Sequence, residues 1–137
     1  MKTAIFYRSF LGNSKNYALW LGKYLKTDVL GFNDFNNETI KRYQTVVVIS
    51  GTYAGWMPLT GFLQKHWEIL KNKKVVVVSV GISPANVPYT KKTFQKIPPE
   101  ILKKVKHFRI PGNMFGIKPL GDVEKENLKE IVKYLKK

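Results

Sequence analysis

Apolar and polar positions alternate along this chain in two rhythms. Ala4–Tyr7, Val29–Phe32, Val46–Ile49 and Val75–Val78 are short apolar runs, the last two extended as VVVIS and VVVVSV. Continuous β-branched runs predict strands buried on both faces, as in a parallel sheet covered by helices. Between them the spacing becomes helical. Tyr17, Ala18, Leu21, Tyr24 and Leu25 fall on one face of a helix that begins at Asn13. Leu59, Phe62, Leu63, His66 and Leu70 form a second stripe, and Leu128, Ile131, Val132 and Leu135 a third. For this third helix, Asp122 is a candidate cap. Glu124 and Glu126 suit its positive end, and Lys133, Lys136 and Lys137 suit its negative end. A weak helical segment is expected around Phe35–Tyr43. A short helix is expected from Pro98–Pro99, burying Ile101, Leu102 and Val105. A fifth strand follows at His107–Ile110, and Pro111 assigns it to a sheet edge.

The resulting order, β-α-β-α-β-α-β-α-β-α over residues 1–137, is that of a single α/β domain with a doubly wound five-stranded parallel sheet and helices on both faces. Ligands of such sheets bind beyond the carboxyl ends of the strands, where the strand order reverses. Three segments gather there: Arg8–Ser14, Ser50–Pro58 and Ser79–Pro88.

Several chemistries are excluded by absent residues. The chain has no cysteine, hence no disulfide, thiol nucleophile or cysteine-ligated metal. It lacks G-x-G-x-x-G after the first strand, the P-loop pattern and a G-x-S-x-G elbow. His66 and His107 have no metal-ligand spacing. In the places where a phosphoacceptor receiver domain needs acids stand Tyr7–Arg8 and Ser50–Gly51. No run approaches the roughly 20 apolar residues of a membrane span, and Arg8 ends the first run too early for a signal peptide, so a cytoplasmic location is expected.

The remaining candidates are loops. Ser9, Phe10, Leu11, Gly12, Asn13 and Ser14 open a helix with two hydroxyls, a glycine and several backbone amides. That arrangement suits a phosphate, and it equally suits a plain turn capped by Ser14. The second loop places Thr52, Tyr53, Ala54, Gly55 and Trp56 after a buried strand. Its aromatics can stack on a flat ring that the glycines let the backbone approach, or Trp56 can fold back onto the next helix. In the third loop, Gly81, Ile82 and Ser83 offer backbone groups to the polar edge of a ring.

Together these loops resemble those of the flavodoxin family, itself the type example of strand order 2-1-3-4-5 with flavin mononucleotide (FMN) at the switch point. The resemblance spans essentially the whole chain. The family's phosphate loop, approximately [ST]-x-T-G-[NQ]-[ST], is matched at Ser9, Gly12, Asn13 and Ser14 and departs at Leu11, where a hydroxyl is usual. The length matches short-chain members. The resemblance implies FMN as cofactor, with its phosphate on Ser9–Ser14 and its isoalloxazine between the Thr52–Trp56 loop and the Gly81–Ser83 loop. It implies electron transfer to a redox partner protein or a small-molecule acceptor. No catalytic side chain or metal is implied.

Charge changes the picture last. Lys and Arg number 24 against nine Asp and Glu, a net charge of +15, whereas electron-carrying flavodoxins are typically acidic. A basic surface favours an acidic or anionic partner and also suits nucleic acid or a membrane surface. The related menaquinone-dependent protoporphyrinogen dehydrogenases are often basic and carry a long segment after strand four. Residues 84–106, with Lys91, Lys92, Lys96, Lys103, Lys104 and Lys106, resemble such a segment, and they also suit a plain solvated face, since no motif there specifies porphyrin. Three readings therefore stand: an FMN electron carrier, an FMN enzyme acting on an anionic substrate, and a flavin-free basic binding module on the same fold.

Overall fold

The computed structural model describes residues 2–136. Five parallel strands form one sheet: β1 (Thr3–Arg8), β2 (Val29–Gly31), β3 (Thr45–Gly51), β4 (Lys74–Gly81) and β5 (Val105–Pro111), in the order β2-β1-β3-β4-β5. This is the expected 2-1-3-4-5 order. All of β3 is buried, as is all of β4 except its two ends, which accounts for their unbroken β-branched runs. The register sets Val47 beside Ile5 and Val76, and Ser50 beside Arg8 and Ser79.

Helices cover both faces. Helix α1 (Asn13–Leu25) lies on one face with α5 (Lys129–Leu135), where Tyr17, Leu21, Leu128 and Ile131 pack on Ile5, Val47, Val76 and Val78. On the other face lie α2 (Pro58–Leu70), α3 (Pro88–Gln95) and α4 (Pro99–Leu102). There Leu59, Phe62, Leu63, Ile97 and Ile101 pack on Phe6, Val48, Val75 and Val77. No helix among the described residues is long and apolar enough to cross a membrane.

Four local expectations need correction. The weak helical segment at 35–43 is not an α-helix. It contains a 3-10 turn, Thr39–Arg42, which follows another at Phe32–Asp34. The Asn36 side chain accepts the amides of Glu38 and Thr39, a local bond that competes with a continued helix. Val105 starts β5 rather than ending the short helix. Asp122 caps no helix: a 3-10 turn at Lys125–Leu128 precedes α5, and Asp122 instead binds Lys118, Asn113 and the Val123 amide. These bonds hold its carboxyl at about 2, below the usual range. Tyr24 is exposed beside Lys136 rather than buried on the α1 stripe. The expected contribution of Lys137 to the last helix lies outside the described residues.

Gly22 sets how closely α1 approaches β2. A Cβ there would overlap the Val29 side chain and press on the Thr27 carbonyl. Gly22→Ala is therefore expected to lower stability by about 1–3 kcal/mol, despite alanine's better helix propensity. Val29→Ala in the same chain should recover part of the loss, measured by denaturant unfolding. An additive double mutant would show that the contact is not the cause.

Candidate functional site

The carboxyl ends of β1, β3, β4 and β5 converge on a narrow cleft of about 30 Å³. Its lining includes Leu11, Asn13 and Ser14 from the first loop and Gly51, Thr52 and Tyr53 from the second. Val80, Gly81 and Ile82 come from the end of β4 and the loop beyond it, and Gly112, Asn113 and Met114 follow β5. The structure thus brings the three anticipated loops together. Of the anticipated residues, Leu11, Asn13, Ser14, Thr52, Tyr53, Gly81 and Ile82 face the cleft. Ser9, Phe10, Gly12, Ala54, Gly55, Trp56 and Ser83 belong to the same loops without lining it. A larger groove of about 490 Å³ lies between α1 and the 125–132 segment, away from the strand ends.

The first loop is a preformed turn. Gly12 has φ +89° and no atom near the place a Cβ would take, so backbone conformation rather than crowding calls for glycine there. The Ser9 hydroxyl accepts the Gly12 amide at 2.9 Å, and Asn16 donates to the Gly12 carbonyl. The first amides of α1, from Asn13 to Lys15, have no carbonyl one turn earlier within the helix and lie at its positive end. Ser14 is 1% exposed, and its Oγ is buried without a hydrogen-bond partner. Ser14 therefore does not cap the helix. The Asn13 side chain donates through Nδ2 to the Asn113 carbonyl at 2.8 Å, which joins this loop to the segment after β5. Tyr17 fixes the same junction one turn later: its hydroxyl donates to the Pro111 carbonyl and accepts from Asn127.

The second loop is a tight hairpin turn. Ala54 and Gly55 have φ of 49° and 81°, and Tyr53 and Trp56 exchange both backbone hydrogen bonds. Trp56 is half exposed and stacks near Phe10 rather than folding onto α2. Tyr53 packs between the loops. Its hydroxyl accepts the Phe10 amide, and it lies where a Cβ on Gly51 would sit. Burial pushes its phenol pKa up. The Gly55 carbonyl accepts a 2.6 Å bond from Lys96 on the α3 side, and Tyr89 stands nearby.

A second turn of the same kind was not anticipated. Phe115 and Gly116 have φ of 51° and 86°, and Met114 and Ile117 exchange backbone bonds. Phe115 is 88% exposed. The sequence did carry a signal: Gly55-Trp-Met-Pro58 and Gly116-Ile-Lys-Pro119 share the spacing of glycine and proline after a strand end.

Beneath the third loop, on the α3 face, runs a row of polar groups. Ser79 and His107 are hydrogen-bonded at 2.8 Å, and His107 stacks on Phe94. Burial, with Arg109 nearby, lowers the His107 pKa to about 4. Arg109 reaches Ser83 and Thr52.

The basic 84–106 stretch spans most of the crossover from β4 to β5 and the first two residues of β5, and it includes α3, which sequence reading missed. Its lysines are dispersed: Lys96 reaches the second loop, whereas Lys106 packs over Phe108 and Tyr134 on the opposite face. Ion pairs among the described residues are all local: Glu38–Lys41, Glu68–Lys71, Lys118–Asp122 and Glu126–Lys129. Little of the positive charge is neutralised.

These features define a doubly wound α/β domain with its loops converging at the switch point of the sheet. The chain belongs to the flavodoxin family: the family model described as Flavodoxin domain matches residues 4–137. No curated protein matches it. Among solved structures it is similar to a short-chain flavodoxin associated with a bacterial microcompartment, at 18% identity and TM-score 0.61 over 97% of this chain and 95% of that one. It is also similar to oxidised flavodoxin 2 from Bacillus cereus, at 16% identity and TM-score 0.58 over 98% and 94% of the two chains. A third is a Fusobacterium nucleatum flavodoxin bound to flavin mononucleotide, at 17% identity and TM-score 0.51 over 89% and 77%.

Two stability measurements test this geometry. Without ligand, Ser14→Ala is expected to leave stability unchanged or raise it by up to about 1–2 kcal/mol, because it removes an unsatisfied buried hydroxyl. A clear loss would mean that Ser14 already has a partner. His107 binds its proton less well folded than unfolded, so stability is complete above about pH 6.5 and falls as pH drops toward 4. The loss should be on the order of 2–3 kcal/mol. His107→Gln should remove this part of the pH profile in denaturant titrations, and an unchanged profile would assign the loss to other groups.

Proposed function

We propose that this protein is an FMN-binding redox protein of flavodoxin type that carries electrons to or from a separate partner. The observation that carries this reading is the buried, unpartnered Ser14 hydroxyl at the open amino end of α1, beside the cleft. A phosphate there would accept from Ser14 and from the unpaired amides of Asn13 to Lys15, and the helix dipole would favour its charge. Ser9 retains its hydroxyl proton for a further bond, since its oxygen is already the acceptor for Gly12. Leu11 contributes no polar group, so backbone amides carry more of the load.

The ring would lie between the Tyr53–Trp56 turn and the Gly81–Ser83 loop. The narrow cleft requires Tyr53 to move away from Gly51 to admit it. Phe10, Tyr53 and Trp56 would then supply aromatic surface on one side, with Ile82 supplying aliphatic carbon on the other. When bound, FMN supplies the electron-accepting and electron-donating chemistry. The chain's own residues hold the phosphate, cover the ring and set the surrounding charge. The basic surface, with Lys91 and Lys92 exposed on α3, fits an acidic or otherwise anionic redox partner.

Isothermal titration tests the assignment. FMN should bind at least about tenfold more tightly than riboflavin, since a single charge-assisted hydrogen bond is worth about 1.5–3 kcal/mol. Ser14→Ala and Gly12→Val should each weaken FMN while leaving riboflavin little changed. Leu11→Thr, which restores a hydroxyl, should match or exceed the parent. Equal affinities for FMN and riboflavin would sink the phosphate assignment.

A further inference from the structure

Arg109 lies near the end of the edge strand β5, beside Ser79 of β4. Its Nε donates to the Ser83 carbonyl at 3.0 Å, and its Nη1 donates to the Thr52 hydroxyl at 3.0 Å. Thr52 also donates to the Val80 carbonyl through both its amide and its hydroxyl. A Cβ on Gly81 would collide with Nη2 and with the Thr52 hydroxyl. The guanidinium therefore passes against Gly81 and ties the loop after β3 to the loop after β4. Those are the two loops between which the ring is placed above.

Its charge is not neutralised. Among the described residues no carboxylate pairs with Arg109, and Nη2 has no hydrogen-bond acceptor. Desolvation lowers its pKa only to about 10, so it remains a cation at neutral pH. A cation partly withdrawn from water and lacking a counter-ion is costly, and negative charge arriving nearby offsets that cost. No phosphate contact is assigned to it: the unpartnered groups suited to phosphate lie on the first loop.

We propose that Arg109 is the counter-charge for the reduced flavin ring, a positioning residue that locks Thr52 and Ser83 in place and makes bound FMN easier to reduce. The inference rests on the FMN reading above. Two electrons from an external reductant, together with one proton, leave the ring with one more negative charge than the oxidised ring. Arg109 stays protonated throughout, and no bond to it forms or breaks. Arg109 is partly buried, so its field is screened by salt less than that of the exposed Lys91 and Lys92.

The test is spectroelectrochemical titration of the FMN-loaded protein at low and high salt, combined with calorimetric affinities for oxidised FMN. The variants are Arg109→Gln, Arg109→Lys and, as a surface control, Lys91→Gln. Arg109→Gln is expected to weaken reduced FMN at least about tenfold more than oxidised FMN, which is about 30 mV for a two-electron couple, and to do so at both salt concentrations. Arg109→Lys keeps the charge and should keep the parent's ratio of reduced to oxidised affinity, even if the two loops loosen and the protein melts earlier. Any shift in Lys91→Gln should vanish at high salt. If the parent binds FMN and Arg109→Gln leaves the ratio unchanged, Arg109 is structural only and the proposal fails. If Arg109→Gln does not fold or load, Arg109→Met, which keeps an aliphatic stem without the charge, takes its place: a tenfold loss in the ratio of reduced to oxidised affinity supports the proposal, and the parent's ratio overturns it. Failure of the parent itself to bind FMN would overturn the FMN reading, and this inference with it.

Discussion

Parallel pairing of strands that are buried on both faces is the constraint from which the rest follows. β3 and β4 have no solvent face, so helices must cover each side, and every strand runs in the same direction. The amino and carboxyl ends of the sheet then lie on opposite edges. Polar loop groups that cannot enter the core gather at the carboxyl edge, and order 2-1-3-4-5 opens a gap between the connections that leave β1 and β3 on opposite faces. The cleft is a consequence of the packing, and the residues at the strand ends determine what it can hold.

A small set of side-chain bonds gives those loops their positions. Tyr17 and Asn13 tie the start of α1 to the end of β5, which brings Ser14 beside Gly112 and Asn113. Ser50 accepts the Leu59 amide and so holds α2 at the other end of the second loop. Arg109 joins the second and third loops from below. Two turns with consecutive positive φ, one after β3 and one after β5, project Trp56 and Phe115 from the same edge of the sheet. The arrangement combines a rigid floor of strand ends with aromatic side chains that are exposed or only partly buried.

Much of this was legible in the sequence because the strongest signals were repetitive. Runs such as Val75–Val78 admit few alternatives between flanking helical stripes. The Ser9–Ser14 pattern falls where β1 passes into α1, and there Ser9 closes the turn and Ser14 is left unpaired. Helix α3 was missed because it has eight residues and buries Thr90 and Thr93 where an apolar stripe would be sought. The segment after β5 was missed because Pro111 read as the end of an edge strand, and the Asn113 carbonyl acquires its role only through contact with Asn13, a hundred positions earlier. Arg109 looked like one more cation among 24; the register sets it beside Ser79, and only the folded side chain reaches Gly81.

In the proposed function the strand-end cleft, and not the larger groove beside α1 and α5, receives a flavin through its phosphate. A crystal structure of the protein grown with FMN tests this most directly. Phosphate density is expected against Ser14 and the first amides of α1, with the ring between the Tyr53–Trp56 turn and Ile82 and with Tyr53 displaced from Gly51. FMN seated in the groove lined by Trp20 and Lys125, or a phosphate held by surface lysines with the first loop empty, would contradict it.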